Sequence, residues 1–426
     1  MKVAWLGLFI ELILFALLKP LINDFEVASI CFIGINILFV AIGISKYKKR
    51  KIELLFCSAF MIRVLAMLWD IYEKNIFVFP GSGDDSENFF LSACQISKNI
   101  SLIKDNNIYG GIYSKILGCI FHITASESLI GQYINVLLGI TIIVIIYKVF
   151  IILDINERIK ETSVFLMSFF PNAIIFSATL LRENFITFFV TLSFYFFIKW
   201  YKNNLNKYIF YSIVLMLIAS LFHSGVISII LGYAFMYMFY QHRIDRLKFN
   251  KKTISIFIFF IIIFAAIFVN YRDAFMAKFN EIKGLEDMYE VVNSRRGGSA
   301  YLMGLEINSW WKIILFSPVC MFYFLISPLP MYWRGIEDII AFLMDGIIYF
   351  YLVTYSILNL RKSKINKRLL IDILIMVLSF IFVFGIGVKN AGTAMRHRHK
   401  ILPIIIVLYT ITKDSKKKNK QDIDKY

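Results

Sequence analysis

The most constraining feature of this sequence is a series of apolar runs, each about twenty residues long, that recurs along nearly the whole chain. A helix of about 20 residues crosses a hydrocarbon core roughly 30 Å thick. A membrane β-barrel needs shorter segments of alternating polarity instead. The runs therefore predict an all-α, polytopic transmembrane bundle, and a hydrophobic content of 59% excludes a chain of soluble domains.

The apolar runs predict about twelve full crossings. Their approximate bounds are 3–22, 27–45, 52–72, 128–152, 162–181, 184–200, 208–222, 225–241, 253–270, 337–359, 369–388 and 400–412. A further apolar stretch at 311–330 contains Pro318, Pro328 and Pro330. Because proline removes a helical hydrogen bond, we interpret this stretch as a re-entrant or broken helix.

The basic residues indicate the orientation of these spans. Lys and Arg cluster in four connecting segments, at 46–51, 243–252, 361–368 and 413–420. The positive-inside rule assigns such clusters, and both termini with them, to the cytoplasmic side of an inner membrane. The net charge of +17 is then an orientation signal, and no nucleic-acid partner is expected.

This orientation divides the chain into a membrane domain and a tail. The membrane domain covers 1–412, with external loops at 73–127 and 271–310, and a basic cytoplasmic tail covers 413–426. The composition of the tail predicts disorder. The second loop contains Arg295 and Arg296 in a basic, glycine-bearing hinge.

The first external loop contains "GSGDDSENFFLSACQISKNI", in which turn residues precede an amphipathic helix expected to lie along the membrane surface. Asp84 and Asp85 are candidate catalytic carboxylates, able to act as a general base or to hold a divalent cation. The simpler alternative is that one of them is only a helix N-cap. Cys94 and Cys119 leave an external disulfide open.

Two shorter motifs fall at predicted external turns. "LLRENF" places Arg182 and Glu183 after a helix interrupted at Pro171, where an arginine can bind phosphate oxygens or merely anchor the interface, with Glu183 neutralising it. His223 in "LFHSG" can donate to a phosphate or shuttle a proton. A lone histidine at a helix end is also commonly structural.

"NAGTAMRHRHKILP" carries several cationic residues on the predicted outer side, where positive charge is disfavoured. An anionic ligand such as a lipid-linked pyrophosphate can offset them, with Arg396 and Arg398 as clamps. The alternatives are acidic neighbours, namely Asp84, Asp85 or Glu337, and the phosphates of lipid headgroups.

Arg334, followed by Glu337, is a further substrate-binding candidate near an external span end. Zinc at His397 and His399 is disfavoured, because their i, i+2 spacing has no accompanying third ligand. The metal requirement stays open, and no nucleotide-binding motif occurs in the chain.

In these motifs the chain resembles the GT-C superfamily of multi-spanning glycosyltransferases, which use lipid-phosphate-linked sugars and carry a catalytic acid in the first large external loop. The resemblance covers roughly residues 80–200, through "GSGDDSENFFLSA" and "FFPNAIIFSATLLRENFITFFVTL". "LLRENFITFF", "ASLFHSGVISII" and "NAGTAMRHRHK" are similar to the Wzy-type polymerases that join O-antigen or capsule repeat units.

The resemblance implies that Asp84 or Asp85 activates the acceptor hydroxyl. It further implies that Arg182, Arg396 and Arg398 bind the donor pyrophosphate. The expected partners are a polyprenyl-phosphate- or pyrophosphate-linked glycan, membrane lipid and other polysaccharide-assembly proteins. Transfer of a single sugar from a polyprenyl-phosphate donor, and transport of a lipid-linked glycan by a flippase, remain the alternatives.

Overall fold

The computed structural model is almost entirely helical over the residues that it describes, which are 1–47, 49–270, 298–303, 305, 310–363 and 366–423. Most of the predicted loop at 271–310, including Arg295 and Arg296, lies outside them. The all-α prediction is consistent with this architecture, in which one short hairpin of β1 (Tyr240–Gln241) and β2 (Arg246–Leu247) is the sole sheet of the described part.

The helices follow the apolar runs closely. They are α1 (Lys2–Leu18), α2 (Phe25–Ser45), α3 (Arg50–Tyr72), α4 (Asp84–Lys98), α5 (Ile112–Ile123), α6 (Ser128–Ile152), α7 (Glu157–Phe169), α8 (Pro171–Ala178), α9 (Glu183–Asn203), α10 (Asn206–Phe222), α11 (Ile230–Phe239), α12 (Lys251–Asn270), α13 (Trp310–Ile326), α14 (Ile336–Ala341), α15 (Ile347–Asn359), α16 (Lys367–Gly387) and α17 (Ala391–Ile423). A 3-10 turn at Ser224–Ile229 precedes α11, and a π turn at Phe342–Gly346 joins α14 to α15.

Among the described residues, five helices are long and apolar enough to cross a membrane, namely α1 with its following turn, α2, α3, α6 and α16. Helices α7 and α8 meet the criterion together but bend by 48° at Pro171, where the sequence predicted an interruption. The expected twelve crossings are therefore not confirmed. Several predicted spans are shorter apolar helices, because local 3-10 turns and prolines divide runs that look continuous in hydropathy.

The chain forms two compact units, and unit 1 comprises residues 1–148 and 161–188. Within it, the predicted amphipathic helix in the first external loop is present as α4. Phe89, Ala93 and Ile96 repeat at helical spacing and are buried. A Cβ added at Gly118 of α5 would lie 2.6 Å from Ile96, so the two helices meet at close range. The apolar face of α4 thus covers α5.

Unit 2 comprises residues 149–160 and 189–426, and α16 runs through its core. The buried side chains of α16 recur every three or four residues, at Leu369, Ile373, Met376 and Phe380. Against α11 the approach is tightest at Gly232, where an added Cβ would meet Met376 at 2.3 Å. Glycine is required there for helix contact.

Within each unit, an ion pair connects segments that the charge pattern predicts to lie on the same side of the membrane. In unit 1, Lys51 pairs with Glu161 at 3.7 Å. In unit 2, Arg368 pairs with Asp245 at 2.5 Å, which joins two of the basic segments. These contacts agree with the predicted grouping of helix ends, while the membrane face that each end meets stays a prediction.

The stretch predicted to be re-entrant forms α13, which continues through Pro318 and ends at Ile326. The interpretation that Pro318 breaks the segment is wrong. Pro318 cannot donate to the carbonyl of Ile314, but the hydroxyl of Ser317 donates to that carbonyl at 3.0 Å. The helix stops before the Ser327–Pro328 bond, which is cis.

The basic tail is helical as far as Ile423, because α17 runs on without a break from the last apolar segment. The expectation of disorder is wrong for these residues. The carboxylate of Asp414 accepts from the backbone N–H of Asn156 at 2.9 Å, and Lys417 donates to the Asn156 side chain at 3.1 Å. These contacts anchor the tail within unit 2.

Candidate functional site

The first candidate group surrounds Asp85 in unit 1. Helix α4 begins at Asp84, and its N-cap residue is Gly83, which has no side chain. The carboxylate of Asp85 accepts a hydrogen bond from the hydroxyl of Tyr109, whose ring lies 5.3 Å from that of Phe89. Asp85 therefore faces a phenol hydroxyl, rather than serving as the cap of its helix.

Arg182 joins this group from the turn before α9. Its guanidinium lies over the buried ring of Phe89, 5.8 Å from the centroid. A guanidinium that stacks on an aromatic ring still has N–H groups that can donate to an anion. The structure thus gathers Asp85 and Arg182, which lie about a hundred residues apart in sequence, around Phe89.

The turn that carries Arg182 is held by Asn135, a residue that sequence reasoning missed. The side-chain amide of Asn135, fully buried in α6, donates to the carbonyl oxygens of Thr179 at 2.7 Å and Leu181 at 2.9 Å. In return, the side-chain amide of Asn184 donates to the main-chain carbonyl of Asn135 at 2.6 Å. An amide inside an apolar run was the signal that could have revealed it.

Glu183 is buried at the first turn of α9, where the partial positive charge of a helix N-terminus stabilises a carboxylate. It acts on the hydroxyl of Tyr113 in α5. Burial raises the pKa of Tyr113, and the negative charge of Glu183 raises it further. Tyr113 is therefore a neutral phenol at physiological pH.

The second candidate group lies in unit 2 and contains His223. The imidazole of His223 is 4.7 Å from that of His397, and both rings contact Phe384, at 5.1 and 4.7 Å. The Lys400 ammonium lies 2.6 Å from Nδ1 of His397 and over the Phe384 ring at 5.6 Å. The structure thus places His223 beside the cationic stretch that contains His397 and Lys400. This contact was expected, because these residues lie at the same predicted end of their spans.

The helix that contains the predicted span at 400–412 begins earlier than the apolar run does. Helix α17 begins at Ala391, so Arg396 through Lys400 occupy its second and third turns. The hydropathy pattern missed this start because charged residues fill those turns. Arg396 and His397 are half-buried, whereas His399 and Lys400 are fully buried.

Arg398 is fully buried and engaged by protein groups. It forms an ion pair with Asp345 of the π turn. Its guanidinium also donates to the main-chain carbonyls of Phe324, Leu325 and Ser327, at 3.0, 2.9 and 2.8 Å. The acidic neighbour of Arg398 is therefore Asp345, rather than Asp84, Asp85 or Glu337. These hydrogen bonds connect α17 to the end of α13.

Arg334 is engaged by a different acid from the one expected. It forms a two-pronged contact with Asp338, with both N–O distances at 2.9 Å, and its backbone N–H donates to the same carboxylate at 3.0 Å. Glu337, its expected companion, is exposed. Arg334 thus stabilises the first turn of α14.

The described part of the chain contains no group of three or more His, Cys, Asp or Glu side chains that could hold a metal ion. Cys94 and Cys119, the pair left open for a disulfide, are both free thiols. The divalent cation remains an untested expectation.

Comparison with known proteins leaves the chain unassigned. No family model, no curated protein and no solved structure matches it.

Proposed function

We propose that this membrane protein is a glycosyltransferase that joins lipid-pyrophosphate-linked oligosaccharide repeat units into a bacterial surface polysaccharide. The observation that carries the proposal is the convergence of a carboxylate, Asp85, and a guanidinium, Arg182, around Phe89. A base for the acceptor and a cation for the phosphate are the two groups that this reaction requires. Asp84 is the second candidate base.

The proposed reaction is a displacement at the anomeric carbon of the donor. Asp85 exchanges its hydrogen bond with Tyr109 for one with the acceptor hydroxyl and takes the proton as the new C–O bond forms. The bond to the pyrophosphate oxygen breaks, and Arg182 stabilises the negative charge of the departing group. Arg396 and His223, which lie in unit 2, stay candidate phosphate ligands on the evidence of the sequence alone.

We also propose twelve crossings in a GT-C-like arrangement, with Asp85 and Arg182 on the exterior of the inner membrane. Because Arg398 is engaged by Asp345, one fewer cation is available for a pyrophosphate. Transfer of a single sugar from a polyprenyl-phosphate donor, which carries less charge, is therefore the nearest alternative.

A second candidate function is transport of a lipid-linked glycan. The observation that favours it is Asp372, a fully buried carboxyl group inside the apolar helix α16. Ionisable groups within membrane spans commonly belong to transport or proton pathways.

The test uses the purified full chain in liposomes, supplied with the lipid-linked repeat unit extracted from its host, with product length read on a gel. We expect Asp85→Asn to lower the rate by about 100-fold or more, since general-base catalysis contributes about 10²–10⁴. Arg182→Gln should also shorten the product. The matched control is Glu87→Gln, which changes an exposed acid of the same helix and should leave product length unaltered.

Wild-type polymer from both Asp85→Asn and Arg182→Gln would overturn the proposal. A fluorescent lipid-linked glycan that changes leaflet without being lengthened would replace it with the transport function. Addition of one sugar only would select the single-sugar transferase.

A further inference from the structure

Asp372 is a buried acid that the proposed transferase does not use. It lies in the second turn of α16, and none of its surface is exposed. Among the described residues, neither of its carboxylate oxygens has a hydrogen-bond partner. An ionised carboxylate in such a place costs several kcal/mol, whereas the neutral acid costs far less.

The phenols of Tyr201 in α9 and Tyr233 in α11 lie within electrostatic range of Asp372. Arg368, one turn earlier on the same helix, is paired with Asp245 at 2.5 Å. Among the described residues, Asp372 forms no ion pair that would hold it in the ionised form.

A chain of polar groups leads from Asp372 toward the basic end of unit 2. The rings of Tyr201 and Tyr240 lie 5.1 Å apart. Tyr240 in turn donates to the exposed carboxylate of Asp245 at 2.7 Å. His242, the other titratable group there, contacts the Tyr240 ring at 4.6 Å. Hydroxyls in series can pass a proton from solvent to a buried acid.

Tyr233, the second phenol near Asp372, leads only to buried hydroxyls. The Tyr233 hydroxyl is 3.0 Å from Oγ of Ser193, which donates to the Ser212 carbonyl at 2.6 Å. All of these side chains are buried. The polar chain thus has an exposed end at Asp245 and a closed end at Ser212.

We propose that Asp372 is a proton-binding site inside unit 2, neutral at physiological pH and loaded from the Asp245 end through Tyr240 and Tyr201. Loading transfers one proton from hydronium at the surface to the carboxylate, leaving water and a carboxylic acid, and it needs no other reactant. The inference does not rest on the glycosyltransferase proposal.

The first test is labelling with dicyclohexylcarbodiimide, an apolar reagent that reacts with protonated carboxyl groups. The acid O–H adds across one C=N bond, and the adduct rearranges to a stable N-acylurea that retains the whole reagent. The wild-type full chain is labelled in micelles near neutral pH, and the site is located by peptide mass spectrometry. We expect Asp372 to be labelled, and the matched internal control is Asp345, which is buried but paired with Arg398 and should stay unlabelled.

The second test reads protonation without requiring reagent access. The infrared C=O band of a protonated acid should be present near neutral pH and should disappear in Asp372→Asn, a nearly isosteric change. A band unchanged by Asp372→Asn overturns the proposal, whatever the labelling result. Equal labelling of Asp345 and Asp372 overturns it as well.

The route is tested by the exchange of this acid proton for deuterium, followed through the same band. Tyr201→Phe removes one hydroxyl from the proposed path and should slow exchange by about ten-fold, equivalent to about 1.4 kcal/mol in the barrier. Tyr233→Phe, the matched control on the closed side, should not slow it. Equal rates in the two variants overturn the route.

Discussion

Unit 1 and unit 2 each bury an arginine completely, but the two units compensate its charge by different means. Arg398 in unit 2 faces a carboxylate, Asp345, which is itself buried. Arg63 in unit 1 donates from one guanidinium nitrogen to the carbonyls of Ala59 and Ser168, each at 2.8 Å. Within the described part of unit 1, no carboxylate pairs with Arg63.

The partner of Arg63 explains the difference. Ser168 lies in the last turn of α7, just before the 48° bend at Pro171. Carbonyls at a helix C-terminus lack intrahelical donors and carry partial negative charge, so a cation stabilises them. Unit 1 therefore uses its arginine to cap a broken helix, whereas unit 2 uses its arginine in an ion pair. Buried arginines in one chain need not share one role.

The largest effect is expected from breaking the ion pair on one side only. Arg398→Met removes the cation that pairs with the buried Asp345, which should lower the free energy of unfolding by about 3–5 kcal/mol. The control is the double variant Arg398→Met with Asp345→Leu, which should recover most of that loss. Unfolding in mixed micelles measures both, and a double variant as unstable as the single one would contradict an ion-pair role.

A smaller effect is expected at Arg63. Arg63→Met removes a charged donor from two carbonyls but leaves no opposite charge behind, so a loss of about 1–3 kcal/mol is expected. Arg63→Lys, which retains the charge, should lose less. The same unfolding measurement applies, and a loss from Arg63→Met as large as that from Arg398→Met would break the comparison.

An effect no larger than that of Arg63→Met is expected from crowding the space around Arg63. A Cβ added at Gly139 would lie 2.7 Å from the Cβ of Ser177 and 3.2 Å from Nε of Arg63. Gly139→Ala should therefore cost about 1–3 kcal/mol through overpacking. Gly34→Ala is the matched control, because an added Cβ meets nothing within 4 Å there, and it should be neutral or stabilising. Equal melting temperatures for the two variants would show that the Arg63 contact tolerates displacement.

Hydropathy predicted the positions of the long helices well, because a long apolar run has few alternatives in a membrane. The run at 128–152 matches α6 at both ends. Hydropathy could not predict the early start of α17, because the charged turns from Arg396 to Lys400 are helical only through burial within unit 2. Nor could it predict that Ser317 would permit Pro318 inside α13.

The candidate site residues also divide into features that the sequence could predict and features that it could not. Residue chemistry was enough to select Asp85, Arg182 and His223, since charged or titratable groups between apolar spans are few. The partner of Asp85 was not predictable, because Tyr109 meets it only through the packing of the loop helices. The contact of His223 with His397 was expected only to the extent that both lie at the same predicted end of their spans. Local spacing carries no information about such contacts.

The sequence by itself determined that this protein is a helical membrane protein, because each apolar run must bury its backbone polar groups within a helix. Only the tertiary structure decided which ionisable residues are engaged. Arg398 is neutralised by an acid about fifty residues away in sequence, and Asp372 is fully buried with no hydrogen-bond partner among the described residues. The physical reason is that burial and charge compensation are properties of neighbours in space, and these are set by how the helices pack.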